Sequence, residues 1–181
     1  MSADLDNPNL TYAAVGRATS AWETLETHLS YLYTIFVEKP LLIDAIEEYG
    51  RDRVTFLQRT KLLDEAATNY FKKNPNQSHE GALRSLIKEA EELAPKRHQI
   101  AHGIVHMIPT QGTKTEDGGY WIDRAAYVLK SPWHALYNLT RKGKDDYYRW
   151  GSQDLDEITK KFYACAERAE KPAGTLSPPK P

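Results

Sequence analysis

The sequence predicts a mainly α fold, a four-helix bundle with a small β-hairpin inserted between the third and fourth long helices. Two observations carry this. Apolar residues recur at spacings of three and four through most of the chain, the repeat of an amphipathic helix. Residues 109–151 break that repeat, with Gly112, Gly118, Gly119, Pro132, Gly143 and Gly151 interleaved with aromatics, which is the composition of strands and turns.

The first helix carries one stripe: Val15, Ala18, Trp22, Leu25, Leu29, Leu32 and Phe36, widened by Tyr33 and Ile35 and stopped by Pro40. A short helix is expected over Leu41–Tyr49, closed by Gly50. A second long helix runs from Arg53 to Lys72, with Phe56, Thr60, Leu63, Ala67 and Tyr70 inward. Residues 74–78, Asn-Pro-Asn-Gln-Ser, form a turn. The third long helix starts near Glu80 and buries Leu83, Leu86, Ile87, Ala90 and Leu93. Pro95 either kinks it or ends it and opens a new one, because proline lacks an N–H and clashes with the preceding turn. Helical pattern resumes through Ile100, Ala101, Ile104 and Val105. Tyr120–Leu129 and Asp146–Trp150 read as strands, with Gln111–Gly119 as a loop. The last helix begins at Asp154, which forms a capping pair with Glu157, and turns Leu155, Ile158, Phe162, Cys165 and Ala169 inward. One domain is expected over residues 10–170, and the proline-rich 171–181 reads as a disordered tail.

Composition narrows the function. The 181 residues are 40% hydrophobic and 27% charged, with a net charge of −1. That balance is wrong for a protein that coats nucleic acid by charge alone, so any RNA contact must come from a local patch. The single cysteine, Cys165, cannot form an internal disulfide and reads as packing in a reducing compartment. The acidic start MSADLDNPNL lacks the apolar core of a signal peptide, and no run reaches the length of a membrane span. A cytoplasmic protein with no membrane partner is expected.

The run Arg97-His98-Gln99-Ile100-Ala101-His102-Gly103 concentrates the chemistry. His98 and His102 are four residues apart and share a helix face. If Pro95 opens a new helix, Arg97 lies at its positive end, which suits a phosphate. Histidine titrates near neutrality and can serve as base or acid, while arginine stays charged and grips phosphate oxygens. RNA cleavage by the 2′-hydroxyl needs these groups: a base, an acid and positive charge on the crowded phosphate.

This run resembles the motif of the HEPN superfamily: an arginine, usually a polar residue, then a few residues and a histidine. Here the motif is Arg97-His98-Gln99-Ile100-Ala101-His102, with His98 at the polar position. HEPN domains are helical bundles that carry the motif late in the third helix. The resemblance implies a metal-independent endoribonuclease with no cofactor, acting through Arg97, His98 and His102, in a toxin or defence setting. It implies a homodimer that joins two motifs in one composite site, and an antitoxin or other protein partner. It equally admits a non-catalytic dimer that binds a protein or nucleotide. Some HEPN toxins carry a tyrosine two residues after the motif histidine, the target of a partner nucleotidyltransferase. Ile104 occupies that position here, which argues against that mode of control.

Other groupings point less sharply. His98, His102 and His106 cannot bind one ion on a straight helix, since the outer two are about 12 Å apart along the axis. A pair at i and i+4 can bind zinc with help from elsewhere, but no metal is expected. Arg141, Lys142 and Lys144 precede Tyr147, Tyr148 and Trp150, and are substrate-binding candidates for phosphates and bases, against the plainer reading of a solvated turn and a half-buried strand. Glu23 and Glu26 read as ordinary surface carboxylates, against the alternative that either reaches across the bundle to orient Arg97 or a histidine. Glu89, Glu91 and Glu92 read as solvated charge, with Glu92 spaced to meet Lys96.

Overall fold

A computed structural model describes residues 4–37, 39, 41–51, 54–132 and 148–175. Among them are five helices: α1 (Pro8–Phe36), α2 (Leu42–Tyr49), α3 (Phe56–Lys73), α4 (Gln77–His102) and α5 (Ser152–Thr175). The strands are β1 (Asp4–Leu5), β2 (Ile104–Lys114), β3 (Tyr120–Lys130) and β4 (Arg149–Trp150). The protein is mainly helical with one small antiparallel sheet. The chain divides into two compact units, one made of Met1–Ser20 and Lys96–Lys160, the other of Ala21–Pro95 and Lys161–Pro181. Helices α1, α4 and α5 each contribute a segment to both.

The first unit holds the sheet. Strand β3 pairs along its whole length with β2, from Ile104↔Lys130 to Lys114↔Tyr120, with register shifts between Pro109 and Gly112. Its other edge takes β1 at Ala126 and Tyr127 and β4 at Leu129 and Lys130. Ala125, Ala126, Val128 and Leu129 of β3 are buried, as are Ala14 and Ala18 of α1, Ile100 of α4 and Leu155 of α5. Asp6 terminates the β1 edge. Its carboxylate accepts from the Ala125 N–H at 2.9 Å and from Arg124 Nε at 3.0 Å. These bonds, the backbone donor first, hold the Asp6 carboxyl below the usual carboxylate range.

Among the described residues, every regular element of the second unit is a helix. Trp22 is 1% exposed and lies 4.8 Å from Phe56 and 5.2 Å from Phe162, ring centre to ring centre. Leu25, Leu29, Leu63, Leu83, Leu86 and Phe162 fill the rest of the core. A polar cluster lies within it. Trp22 Nε1 donates to Glu26 Oε1 at 2.6 Å, and Arg59 Nη2 pairs with Glu26 Oε2 at 2.7 Å. Burial pushes the Tyr33 hydroxyl up to about 12, aided by its bond to Glu48.

Several boundaries differ from expectation. Helix α3 starts at Phe56, three residues after Arg53, because Thr55 forms a full capping box with Gln58. Its inward aromatic is Phe71, and Tyr70 is half-buried. Helix α4 neither ends nor restarts at Pro95, since the exposed proline ring is accommodated within a continuous helix. Ile104 and Val105 are not helical. Gly103 ends α4, and the β-branched pair opens β2 against Lys130 and Leu129. The hairpin therefore joins β2 to β3, with residues 115–119 as its turn and Gly118 at φ +83. Arg149 and Trp150 pair on the opposite edge. In α5, Gly151 is the N-cap, and Asp154 reaches back to accept from its N–H at 3.0 Å rather than pairing with Glu157. The helix continues through Pro172 to Thr175, so residues 171–175 extend α5, and residues 176–181 of the expected tail lie outside the described residues. No helix among the described residues is long and apolar enough to cross a membrane.

Candidate functional site

The Arg97–Gly103 run forms the last turns of α4 and the step into β2. Ile100, 3% exposed, fixes the inward face of this segment. The side chains four apart, His98 and His102, then fall on the outward face. Their ring centroids are 4.4 Å apart with planes inclined at 51°, and both residues are exposed. Arg97 is half-buried. His102 lies five positions farther along the helix, so Arg97 leaves the axis about 140° away from that histidine. The fold thus brings the two imidazoles together and starts Arg97 from a different flank.

The electrostatics of this end are opposite to those expected from a helix break at Pro95. With α4 continuous from Gln77 to His102, Arg97 and both histidines lie at its C-terminus. The partial charge there is negative, so the peptide dipoles offer no anion site. The backbone here favours cations, and a phosphate would have to be held by side chains alone.

The turn is braced from behind. The Gln99 carbonyl is among the last four of the helix, which have no intrahelical donor. Tyr148 Oη supplies one, at 2.8 Å. Burial raises the Tyr148 pKa. Its ring lies 4.6 Å from that of Trp150, and Lys96 Nζ stands 5.0 Å from the Trp150 ring centre, a cation–π contact. Lys96 is therefore engaged by Trp150, and Glu92 pairs with Lys88 at 3.9 Å. Gly103 allows the chain to leave the helix over Leu129. A Cβ there would meet Leu129 Cγ at 2.7 Å and the Gln99 carbonyl oxygen at 2.9 Å. Of the two readings the sequence allows for Tyr148 and Trp150, a half-buried strand and a stacking surface for bases, their burial agrees with the first. Both are half-buried and serve the α4 terminus. A tyrosine and a tryptophan at i and i+2 share one side of a strand, and that spacing was the available signal.

The remaining candidates divide. Arg141, Lys142 and Lys144 lie outside the described residues. His106 is in β2, off the helix that carries the other two histidines. Among the described residues, no group of three or more His, Cys, Asp or Glu could hold a metal. Glu26 is taken by Trp22 and Arg59. Glu91 accepts from the Thr60 hydroxyl at 2.7 Å, and Glu89 pairs with Arg168. Both carboxylates thus carry tertiary contacts that helix spacing alone did not signal. Cys165 is buried, and burial pushes its thiol up to about 11, which makes it a packing residue and a poor nucleophile. A cleft of about 330 Å³ between α3 and α4 is lined by Thr60, Lys61, Asp64, Arg84, Ile87, Lys88 and Glu91. Arg84 pairs there with Asp64 at 3.5 Å and with Glu80 at 2.9 Å. Its charges are largely spent on each other, and it offers no convergent catalytic groups. Compared with known proteins, the chain matches no family model, no curated protein and no solved structure.

Proposed function

We propose that this protein is a HEPN-like four-helix bundle that acts as a metal-independent endoribonuclease, with a composite site at a homodimer interface. The observation that supports the reading is the exposed His98–His102 pair, 4.4 Å between ring centres, on a braced helix end. Two imidazoles provide the base that takes the 2′-hydroxyl proton and the acid that protonates the leaving oxygen. The attacking and leaving oxygens lie in line on opposite sides of the phosphorus. One exposed pair approaches from one side only, so a second copy completes the geometry. Arg97 is the cation assigned to the phosphate, and Arg141, Lys142 and Lys144 are assigned to RNA farther along the strand. Catalysis by these groups needs no cofactor. A toxin or defence role in the cytoplasm, with an antitoxin as partner, belongs to the same proposal.

A second reading is favoured by one observation: Arg97 is half-buried and starts from a different flank than His102. In that case the run is an interface of a non-catalytic dimer that binds a protein or nucleotide. Cleavage of an RNA pool in EDTA separates the two. The nuclease reading expects cleavage by the native protein and a loss of about 10²–10⁴-fold in His102→Ala and His98→Ala. No cleavage, or equal cleavage by all three proteins, overturns it.

A further inference from the structure

We infer that His98 and His102 form a chelating site for a divalent transition ion of borderline softness, such as zinc, and that its occupancy silences the catalytic histidines. The first half stands on geometry alone, and the second rests on the proposed nuclease function.

Imidazole is a preferred ligand for zinc, copper and nickel. At i and i+4 on a helix, two imidazoles rise from adjacent turns on one face. Here their ring centres are 4.4 Å apart. Both residues are exposed, so the rings can turn about the Cβ–Cγ bond to aim a nitrogen each at a shared ion. The site sits in the final turns of a 26-residue helix, where the aligned peptide dipoles place partial negative charge. That field favours a cation at the pair. The turn below is held by Tyr148 on the Gln99 carbonyl and by the close approach of Gly103 to Leu129, so a bound ion need not order the backbone first. With no third His, Cys, Asp or Glu joined to the pair among the described residues, water fills the remaining positions. An ion so held occupies the lone pairs that would otherwise take or give protons to RNA. Zinc would therefore inhibit, and EDTA would restore activity.

The test uses the full chain without a histidine tag, titrated with zinc alone by calorimetry. One ion per chain is expected. His98→Ala and His102→Ala should each weaken binding by about 10²-fold, because each loses the second attachment. His106→Ala should bind as the native protein does. All three positions are exposed, so circular dichroism should be unchanged. Absent binding, binding that survives both single substitutions, or binding lost in His106→Ala would overturn the site. In a parallel assay, zinc should stop RNA cleavage and EDTA should restore it. Cleavage that persists at saturating zinc overturns the inhibitory half. If the native protein cleaves no RNA in EDTA, the nuclease proposal and the inhibitory half fall together, while calorimetry still decides the metal site.

Discussion

Gly103 shows how one residue sets the form of the candidate site. It closes the run that carries the histidines, yet its own role is steric. Any side chain there would meet Leu129 and the Gln99 carbonyl below 3.0 Å. Gly103→Ala should therefore cost about 1–3 kcal/mol, the range for forcing a methyl into a packed place. Chemical denaturation checks this. Faster amide exchange at residues 99–104 than in the native protein would localise the strain to the helix end, whereas unchanged stability would mean that Leu129 gives way freely. The two histidines were readable from spacing alone, since four residues of helix return a side chain to the same face. Tyr148 was not readable as a brace, because its bond to Gln99 spans 49 positions of sequence.

At the scale of the element, local chemistry decided where helices start, and periodicity decided what they bury. The Thr55–Gln58 capping box places the start of α3. Gln58 Oε1 accepts from the Thr55 N–H at 2.7 Å, and Thr55 Oγ1 accepts from the Gln58 N–H at 3.3 Å. Thr55→Ala should lower stability by about 1 kcal/mol. The denaturation midpoint would shift at constant slope, and a change of slope would instead indicate that α3 unfolds separately. The inward residues of α5, from Leu155 to Ala169, follow the 3.6-residue repeat and are buried as that repeat requires. Residues 104 and 105 misled the same argument. Ile104 and Val105 fit the end of a helical stripe and the start of a strand equally well. Pairing with Lys130 and Leu129, after a glycine that ends α4, chose the strand.

At the scale of the whole molecule, the chain buries its one sulfhydryl and leaves the imidazoles of His98 and His102 exposed. Burial favours the neutral Cys165 thiol, raising its pKa from an ordinary 9.0 to about 11. Its contribution to stability is therefore fully present below pH 9.0 and is lost as the pH rises toward about 11. A thiol reagent at pH 9 should label Cys165 in denaturant and leave the native protein unlabelled. Rapid native labelling would mean that the core around α5 opens readily. The metal titration of the His98–His102 pair probes the opposite, exposed condition.

The amino-acid sequence by itself determined the helices, their buried faces, the presence of a β element between α4 and α5, and the pairing of His98 with His102. Each follows from interactions within a few residues: helical repeat, strand and turn composition, side chains one turn apart. Tertiary structure alone decided that α4 runs unbroken past Pro95, which places Arg97 and the histidines at the negative end of a helix. It also decided that β2 partners β3, that Tyr148 caps Gln99, and that Glu26 is held by Trp22 and Arg59. Those outcomes depend on contacts between distant segments, or on whether a packed helix can absorb a proline. Local propensity does not specify either.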